Sequence, residues 1–463
     1  MSELLKGIER AQPPTPRDSA LGVIVRRRAD GWHVLLGKRS RQSRFMPGHL
    51  AFPGGNLDPV DRPDEPGALA RCVAREVAEE TGIEIPPDSW FAAGARITPP
   101  MFPVRFNARF FVAEAPDDGA VPETSPSPDE IESMGFENPA DVTGRWALGE
   151  ALVPPPVLPV LRVLSATRVG EVREFADLLR QVNDREQDRT RMEFVPDIWA
   201  LPMETRTLPP ATHTNVWMPG GESFAIVDPG SDERGEIDFL LRVVDRRAKL
   251  GTKPAAVLLT HHHQDHTAGA AVVAAEVGVP VRGHAATLER VDPGGVETIA
   301  IEDDELIDLH GMTLRAAHTP GHAVGHLVFH VPEREALIAG DLLSGMSTVV
   351  IDPDGGDMGA YLDSLRRVAT IGCRTVLPAH GPPLPARAIE KTIQHRLGRE
   401  KKVLGALSTD GPVSLAVVTR AAYSDTPDAP AVLKEMQALA HLVHLESEGR
   451  ACRADPEGRS WSP

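Results

Sequence analysis

The sequence predicts a multidomain protein of the α/β (α+β) class, and three observations carry that expectation. Its 463 residues suit about three domains, each of roughly 100–200 residues. Hydrophobicity rests on aliphatic residues and alanine, with aromatic residues at only 5%, and 40 glycines and 43 prolines imply many loops between regular elements. Apolar runs repeatedly end in polar loops that carry donor side chains, as strands do at one edge of an α/β sheet.

Taken in order, residues 1–18 are polar and proline-containing, a loose lead-in. Residues 20–25 and 32–37 read as strands joined by a hairpin-like connection at 26–31. The Gly- and Pro-rich range 44–61 is loop, leading into a helix over 67–81 that Gly82 closes. Strands follow at 91–97 and 107–114, giving a first domain over 19–150. The Pro-rich run 153–159 and a charged helix at 172–191 then form a semi-rigid connector over 151–193. In a second domain, 194–385, five segments repeat the strand-then-loop plan: 224–230, 255–261, 314–322, 336–341 and 375–381. Helices at 387–407, 415–422 and 429–446, with a short hairpin at 451–461, suggest a winged-helix-like subdomain over 386–463.

The net charge of -17 excludes a protein that coats nucleic acid by bulk electrostatics. An anionic substrate therefore needs local metals or a basic patch. Cys72, Cys373 and Cys452 are far apart, odd in number and without a C-x-x-C, which predicts reduced thiols and a cytoplasmic setting. The longest apolar segment, 270–281, is interrupted by Glu276 and is too short to span a bilayer, so no membrane partner is expected.

The densest chemistry lies at 260–266, Thr-His-His-His-Gln-Asp-His. Four imidazoles and a carboxylate in seven residues are costly to bury without partners. His261, His263, Asp265 and His266 give H-x-H-x-D-H, a donor set suited to zinc or a similar transition ion. His322, in a His-Thr-Pro-Gly-His turn, and Asp341 and His380, each ending an apolar run, offer further donors. His261, His263 and His322 serve one ion, Asp265, His266 and His380 a second, and Asp341 bridges. Two ions a few Å apart lower the pKa of a water between them and clamp the oxygens of an ester or phosphodiester.

This order of donors resembles the metallo-β-lactamase superfamily over about 200 residues. The resemblance implies an αββα sandwich with a binuclear site, two Zn²⁺ or similar ions, Asp265 as a catalytic group, and Asp228 in Val-Asp-Pro-Gly as a structural support. Ile393-Gln-His-Arg-Leu-Gly-Arg-Glu400 and the helical tail are similar to the β-lactamase-like endoribonuclease branch, close to glyoxalase II-type thioesterases. The substrate is then either a phosphodiester such as RNA or a thioester. Lys391, His395, Arg396, Arg399, Lys401 and Lys402 form either a phosphate-contacting patch or a solvated helix face balanced by Glu390 and Glu400.

In the first domain, Glu76, Glu79 and Glu80 stand at i, i+3 and i+4, sharing a helix sector with Leu69, Cys72 and Val73. Carboxylates on an inward side suit Mg²⁺ or Mn²⁺ with a bridging diphosphate, and Arg75 is placed to brace Glu79. Arg75-Glu-Val-Ala-Glu-Glu-Thr-Gly-Ile83 resembles the second half of the Nudix box, G-x5-E-x7-R-E-U-x-E-E-x-G-U, and so implies an α/β/α sandwich that hydrolyses nucleoside diphosphate derivatives. The first half departs: Gly67 stands where a glutamate is expected, with Asp58, Asp61 and Glu65 as candidate replacements. The motifs at 44–55 and 102–111 are similar to the branch acting on coenzyme A and related diphosphates. Glu76 or Glu79 would activate water and Glu79 and Glu80 would hold the ion. The alternative is an inactive domain that binds a nucleotide or coenzyme A and regulates a thioesterase.

Overall fold

The computed structural model describes residues 11–43, 46–116, 130–167, 170–185, 192–352 and 355–463. The first ten residues of the expected lead-in, Arg44 and Phe45, and 186–191 of the charged helix lie outside them. The chain divides into two compact units, one over Pro13–Leu201 and the other running from Pro202 to Pro463. The second unit thus begins a little beyond the expected start near Phe194.

The first unit opens with β1 (Arg17–Arg28) and β2 (Gly31–Arg39), an antiparallel hairpin, followed by the short strands β3 (Leu50–Ala51) and β4 (Gly54–Asn56). Then come α1 (Ala68–Thr81), β5 (Phe91–Ile97), β6 (Phe106–Glu114) and β7 (Ile131–Glu137). The strands form one sheet ordered β3-β2-β1-β6-β5, with β4 on β1 and β7 on β2. Gly82 takes φ 69° and ends α1 by a bond to the Ala78 carbonyl, the left-handed cap that its sequence position predicts.

Alternation along the strands buries both faces. Ala20, Ile24, Leu35, Phe111 and Ala113 pack with Cys72, Val73 and Val77 of α1. Val23, Val25, Val34, Leu36, Phe110 and Val112 face the other way. That second face is covered by α2 (Pro139–Ala147), α3 (Leu158–Ala166) and α4 (Val172–Arg185). The stretch expected as a connector is therefore a layer of this unit's core. Val157, Val160, Leu161 and Leu164, then Val172, Phe175, Ala176 and Leu179, are spaced at i, i+3 and i+4 and supply the apolar cover. Proline begins α3 rather than stiffening a linker.

The division between units falls within a hairpin of β8 (Met192–Val195) and β9 (Ile198–Glu204). The second unit continues through β10 (His213–Pro219), β11 (Ser223–Val227), α5 (Arg234–Ala248), β12 (Lys253–Leu258), α6 (Gln264–Thr267), α7 (Ala270–Val277), β13 (Val281–Gly283), α8 (Ala285–Leu288) and β14 (Thr298–Ala300). Strands β14-β13-β12-β11-β10-β9 are neighbours in that order. Next come β15 (Leu306–Asp308), β16 (Thr313–His318), β17 (Leu327–Val331), β18 (Ala336–Gly340), α9 (Met358–Ala369), β19 (Thr375–Pro378) and β20 (Leu384–Pro385), six strands that form a second sheet in sequence order. Helix α9 and the helix after β20 cover this sheet, with Tyr361, Leu365, Ile389 and Ile393 packed on Val328, Leu337 and Val376. The result is the expected αββα sandwich.

The chain ends in α10 (Arg387–Gly405), β21 (Val413–Ser414), α11 (Leu415–Ala422), α12 (Ala431–Ser447), β22 (Cys452–Arg453) and β23 (Ser460–Ser462). The expected hairpin is present as β22 and β23, and β21 pairs with β23 as well. Trp461 is fully buried beneath it, in a cluster with Val403, Leu415 and Leu442. All three cysteines are free thiols, and among the described residues no helix is long and apolar enough to cross a membrane.

Candidate metal centre and carboxylate helix

Five strand ends deliver the donors. Asp228 follows β11, His261 and His263 follow β12, and His322, Asp341 and His380 follow β16, β18 and β19. Asp265 and His266 sit on the single turn of α6. Among the described residues, three donor groups of this unit have ligand atoms within 4.8 Å: His261, His263 and His322; Asp265, His266 and His380; and His261, His266 and Asp341. The first two are the sets expected from the sequence. His262 belongs to none of them.

The distances are those of ligand shells. His263 Nδ1 lies 2.9 Å from His261 Nε2 and 3.0 Å from His322 Nε2. Asp341 lies 3.5 Å from His322 Nε2, 3.6 Å from His266 Nε2 and 3.4 Å from His380 Nε2, which places its carboxylate between the two sets. Asp265 is 3.4 Å from His380 Nε2 and 3.9 Å from His266 Nε2. A tetrahedral ion with bonds of about 2.1 Å sets its ligand atoms about 3.4 Å apart. His266 Nε2 and Asp341 Oδ1 are buried with no hydrogen-bond partner, a cost that an ion removes. The residues therefore fit divalent metal ions.

Outer contacts orient the rings, with tautomers assigned from the hydrogen-bond network. Asp228 is 2% exposed and accepts from Thr260 N at 2.8 Å, Thr260 Oγ1 at 2.6 Å and His266 Nδ1 at 2.9 Å. Thr260 Oγ1 in turn accepts from His261 Nδ1 at 3.0 Å. His322 Nδ1 donates to the Val350 carbonyl at 2.8 Å and His380 Nδ1 to that of His213 at 3.0 Å. Each of these four imidazoles is left with Nε2 facing the centre. His326, which the sequence did not single out, is fully buried and accepts the Asp341 backbone N–H at Nε2, 3.1 Å away. Its place as the second histidine of His-Ala-Val-Gly-His, four residues after His322, was the available signal. Gly340 takes φ +50°, and a Cβ there would lie 2.8 Å from His326 Nε2 and from Thr260, so no larger residue fits.

Charge is balanced locally. Burial, then neighbouring imidazoles, holds His261 and His263 well below the ordinary histidine range. For His266 and His380 burial opposes protonation, but Asp341 and Asp265 outweigh it and raise both. Burial would likewise raise Asp341, yet His380 and His266 hold it well below the carboxylate range. Asp228→Asn keeps the left-handed backbone, φ 54°, at a residue type that tolerates it. The substitution is expected to weaken metal affinity about 10–100-fold, measured by competition with a chromophoric chelator. Unaltered affinity would show that Asp228 supports the loop alone.

The donors open into a cavity of about 590 Å³, whose lining includes His263, Asp265, His322, Asp341 and His380. The lining also includes the apolar residues Leu208, Pro209, Val349, Val350 and Leu433, and α10, α12 and the segment between α11 and α12 contribute to it. Neither expectation for the basic helix α10 fits as a whole. Arg396 and Arg399 are 2% and 6% exposed and line the cavity, while Lys391, His395, Lys401 and Lys402 are exposed. Arg399 pairs with Asp425 at 2.7 Å and stacks on Tyr423, 4.3 Å from the ring centre, and Lys402 also reaches Asp425 at 2.7 Å.

In the first unit, Asp61 is the one of the three candidate replacements for the missing acid that meets Arg75. It follows Gly55 by the pattern's five intervening residues, but 13 residues instead of seven separate it from Arg75. Asp61 is 2% exposed and receives Arg75 Nε at 3.0 Å and a terminal guanidinium nitrogen at 2.9 Å. The extra residues, 62–67, are bracketed by left-handed Arg62 and Gly67. Arg71 staples the excursion, donating to the carbonyls of Asp61, Arg62 and Pro66.

Arg75 also pairs with Glu76 at 2.9 Å and, as expected, with Glu79 at 3.2 Å. Glu76 and Glu80 are partly buried, whereas Glu79 is 60% exposed and not on the inward side expected for it. Glu76, Glu79 and Glu80 are not among the donor groups within 4.8 Å. Burial pushes Glu80 up to about 7 against the N–H that Gly54 donates at 2.9 Å, and burial also raises Glu76. A Cβ on Gly55 would fall 2.4 Å from the Glu76 carboxylate, so glycine lets the β4 backbone approach these acids.

A sandwich with this donor set defines a metal-dependent hydrolase, preceded by a unit with a Nudix-type helix. The metallo-β-lactamase superfamily model matches residues 210–380 and the NUDIX domain model residues 16–156. The chain is 32% identical over 226 residues to an atrochrysone carboxyl ACP thioesterase from Aspergillus chevalieri, covering 46% of this chain and 69% of that protein. It is 34% identical over 198 residues to the lactamase-like protein adaB of Aspergillus niger, covering 42% of this chain and 58% of that one. The fold is shared with a β-lactamase domain protein from Burkholderia ambifaria, at a TM-score of 0.51 and 21% identity over 59% of this chain and 93% of that chain. The protein belongs to the metallo-β-lactamase superfamily and fuses a hydrolase of that fold to a NUDIX domain.

Proposed function

We propose that the C-terminal unit hydrolyses acyl thioesters carried on coenzyme A or an acyl carrier, with two Zn²⁺ held by His261, His263 and His322 and by Asp265, His266 and His380, and Asp341 between them. The observation that carries this reading is the cavity, whose apolar wall of Leu208, Pro209, Val349, Val350 and Leu433 suits an acyl chain beside the donors. A single RNA strand asks for free cations along a groove and open aromatic faces for its bases. Here Arg399 is engaged by Asp425, Arg396 is 2% exposed and held by Gln437 and the Val349 carbonyl, not open along a groove, and the Tyr423 ring is occupied by Arg399. The thioesterase among its relatives supports the same choice.

When bound, the ions supply Lewis acidity and a nucleophile at neutral pH. The chain's own residues position the chemistry. Asp265 lines the cavity and orients the attacking water, taking its proton. Asp228, Val350 and the His213 carbonyl keep three rings aimed at the centre. In the N-terminal unit, our reading is Mg²⁺- or Mn²⁺-dependent hydrolysis of a nucleoside diphosphate derivative of the coenzyme A type. Glu79 and Glu80 hold the ion, and Glu76 or Glu79 activates water. The Asp61–Arg75 pair supports this, because it supplies the contact that Gly67 cannot.

The test is a panel of acyl-coenzyme A thioesters, single-stranded RNA and nucleoside diphosphate derivatives, with bound metals quantified and a chelator as control. Chelator-sensitive thiol release is expected from the full-length protein. Glu79→Gln is expected to abolish Mg²⁺-dependent cleavage of the diphosphates. RNA cleavage without thioester hydrolysis would overturn the first reading. Tight coenzyme A binding without product would make the NUDIX unit a binding module.

A further inference from the structure

The part of the cavity lining on α10 and α12 holds a buried cation without an acid. Arg396 is 2% exposed, and no carboxylate of the described residues lies within 4 Å of it, although Arg399 and Lys402 on the same helix both reach Asp425. Its partners are neutral: it donates to Gln437 Oε1 at 3.0 Å and to the Val349 carbonyl, and its carbon Cζ lies 5.2 Å from the Tyr361 ring centre. Its Nε is buried with no partner at all. One turn beyond Gln437, His441 is fully buried with both ring nitrogens unpartnered, and burial, then the Arg396 charge, keeps it neutral. A guanidinium taken out of water is costly unless an anion and further hydrogen bonds compensate it.

This cation is tied to the metal centre through one loop. Three successive carbonyls are engaged in turn, Val349 by Arg396, Val350 by the ligand His322, and Ile351 by Gln437 at 2.9 Å. Arg396, Gln437, Val349 and Val350 all line the same cavity as the donors. The planar fork of a guanidinium matches a carboxylate, whose two oxygens take paired N–H donors.

We infer that Arg396, held by Gln437, is a subsite for a carboxylate on the acyl chain, so that the preferred substrates are thioesters of dicarboxylic acids. The inference rests on the thioesterase reading. An acyl chain crosses the apolar part of the cavity, and its distal carboxylate supplies the charge that the protein leaves out. The subsite selects among substrates and takes no part in bond breaking.

The test uses thioesters of N-acetylcysteamine, which carry no phosphate. Metal-loaded full-length protein is expected to turn over the glutaryl thioester with kcat/KM at least ten-fold above that of the valeryl thioester. Gln437→Glu, which puts a carboxylate beside Arg396, and Arg396→Met, which keeps an apolar stem against Tyr361, are each expected to bring that ratio near one. A wild-type ratio at or below one, or a preference that survives in both variants, overturns the subsite. A preference seen only as tighter binding of coenzyme A over the phosphate-free carrier assigns Arg396 to the carrier's phosphate and also overturns it. If neither thioester is hydrolysed, the thioesterase reading fails by itself. The subsite is then judged by calorimetry: glutarate should bind at least ten-fold tighter than valerate to the wild type and not to Gln437→Glu, and equal binding overturns it.

Discussion

Asp341→Asn is expected to lower metal-dependent turnover by more than about 100-fold, beyond the loss usual for an outer-contact residue. The Asp341 carboxylate lies within 3.4–3.6 Å of His322, His266 and His380, so it serves both sets of donors at once. Asparagine preserves its size and the backbone N–H that His326 accepts. What it removes is the negative charge that offsets two cations in a buried site. Bound metal should fall from two ions to one or fewer per chain, read by elemental analysis beside the rate. Two tightly held ions with near-native turnover would show that Asp341 shapes the loop and does not bridge.

Asp61→Asn is expected to destabilise the N-terminal unit by about 3 kcal/mol, the lower end for breaking a buried pair, because Arg75 is partly exposed and retains Glu76 and Glu79. The effect depends on pH. Burial would raise the Asp61 pKa, but the two bonds from Arg75 and the backbone contact at Asp58 outweigh it and hold the carboxyl below its ordinary value. A depressed folded pKa means that the stabilisation is fully present above the unfolded pKa of about 3.9 and is lost as pH falls through the folded value. Denaturant unfolding should therefore separate wild type from Asp61→Asn at pH 7 and bring them together well below pH 4. A constant gap across that range would mean that shape, not charge, accounts for the loss.

Much of the molecule was legible from spacing. The donors at 260–266 could be picked out because they crowd into one stretch just beyond β12, and Asp341 and His380 because each lies within two residues of an apolar strand, while His322 stands in a turn with Pro and Gly; the fold brings them within 4.8 Å in groups of three. The cover of the NUDIX sheet was misassigned for a physical reason. Proline at 154–156 and 159 suggested an extended linker, while the apolar spacing of Val157, Val160, Leu161 and Leu164 had already marked a helix. Arg396 and Arg399 resisted sequence reasoning for another cause. Arg396 is covered by α12 and the loop at 349–351, and Arg399 by Ala422, Tyr423 and Asp425 at and after the end of α11, all distant in the chain, and no local pattern tells an arginine that will be covered from one that will not.

The excursion between Asp61 and Arg75 bears on what a longer spacing costs the folded chain. Chain entropy charges little for it: closing a loop costs only about 0.6 kcal/mol more for each doubling of length. A buried carboxylate–guanidinium contact, once broken, costs several times that. Six added residues can thus be tolerated while the contact they span is not given up. In this chain the two side chains meet across 13 intervening residues, so the contact itself, and not the count between its partners, is what the geometry of the helix demands.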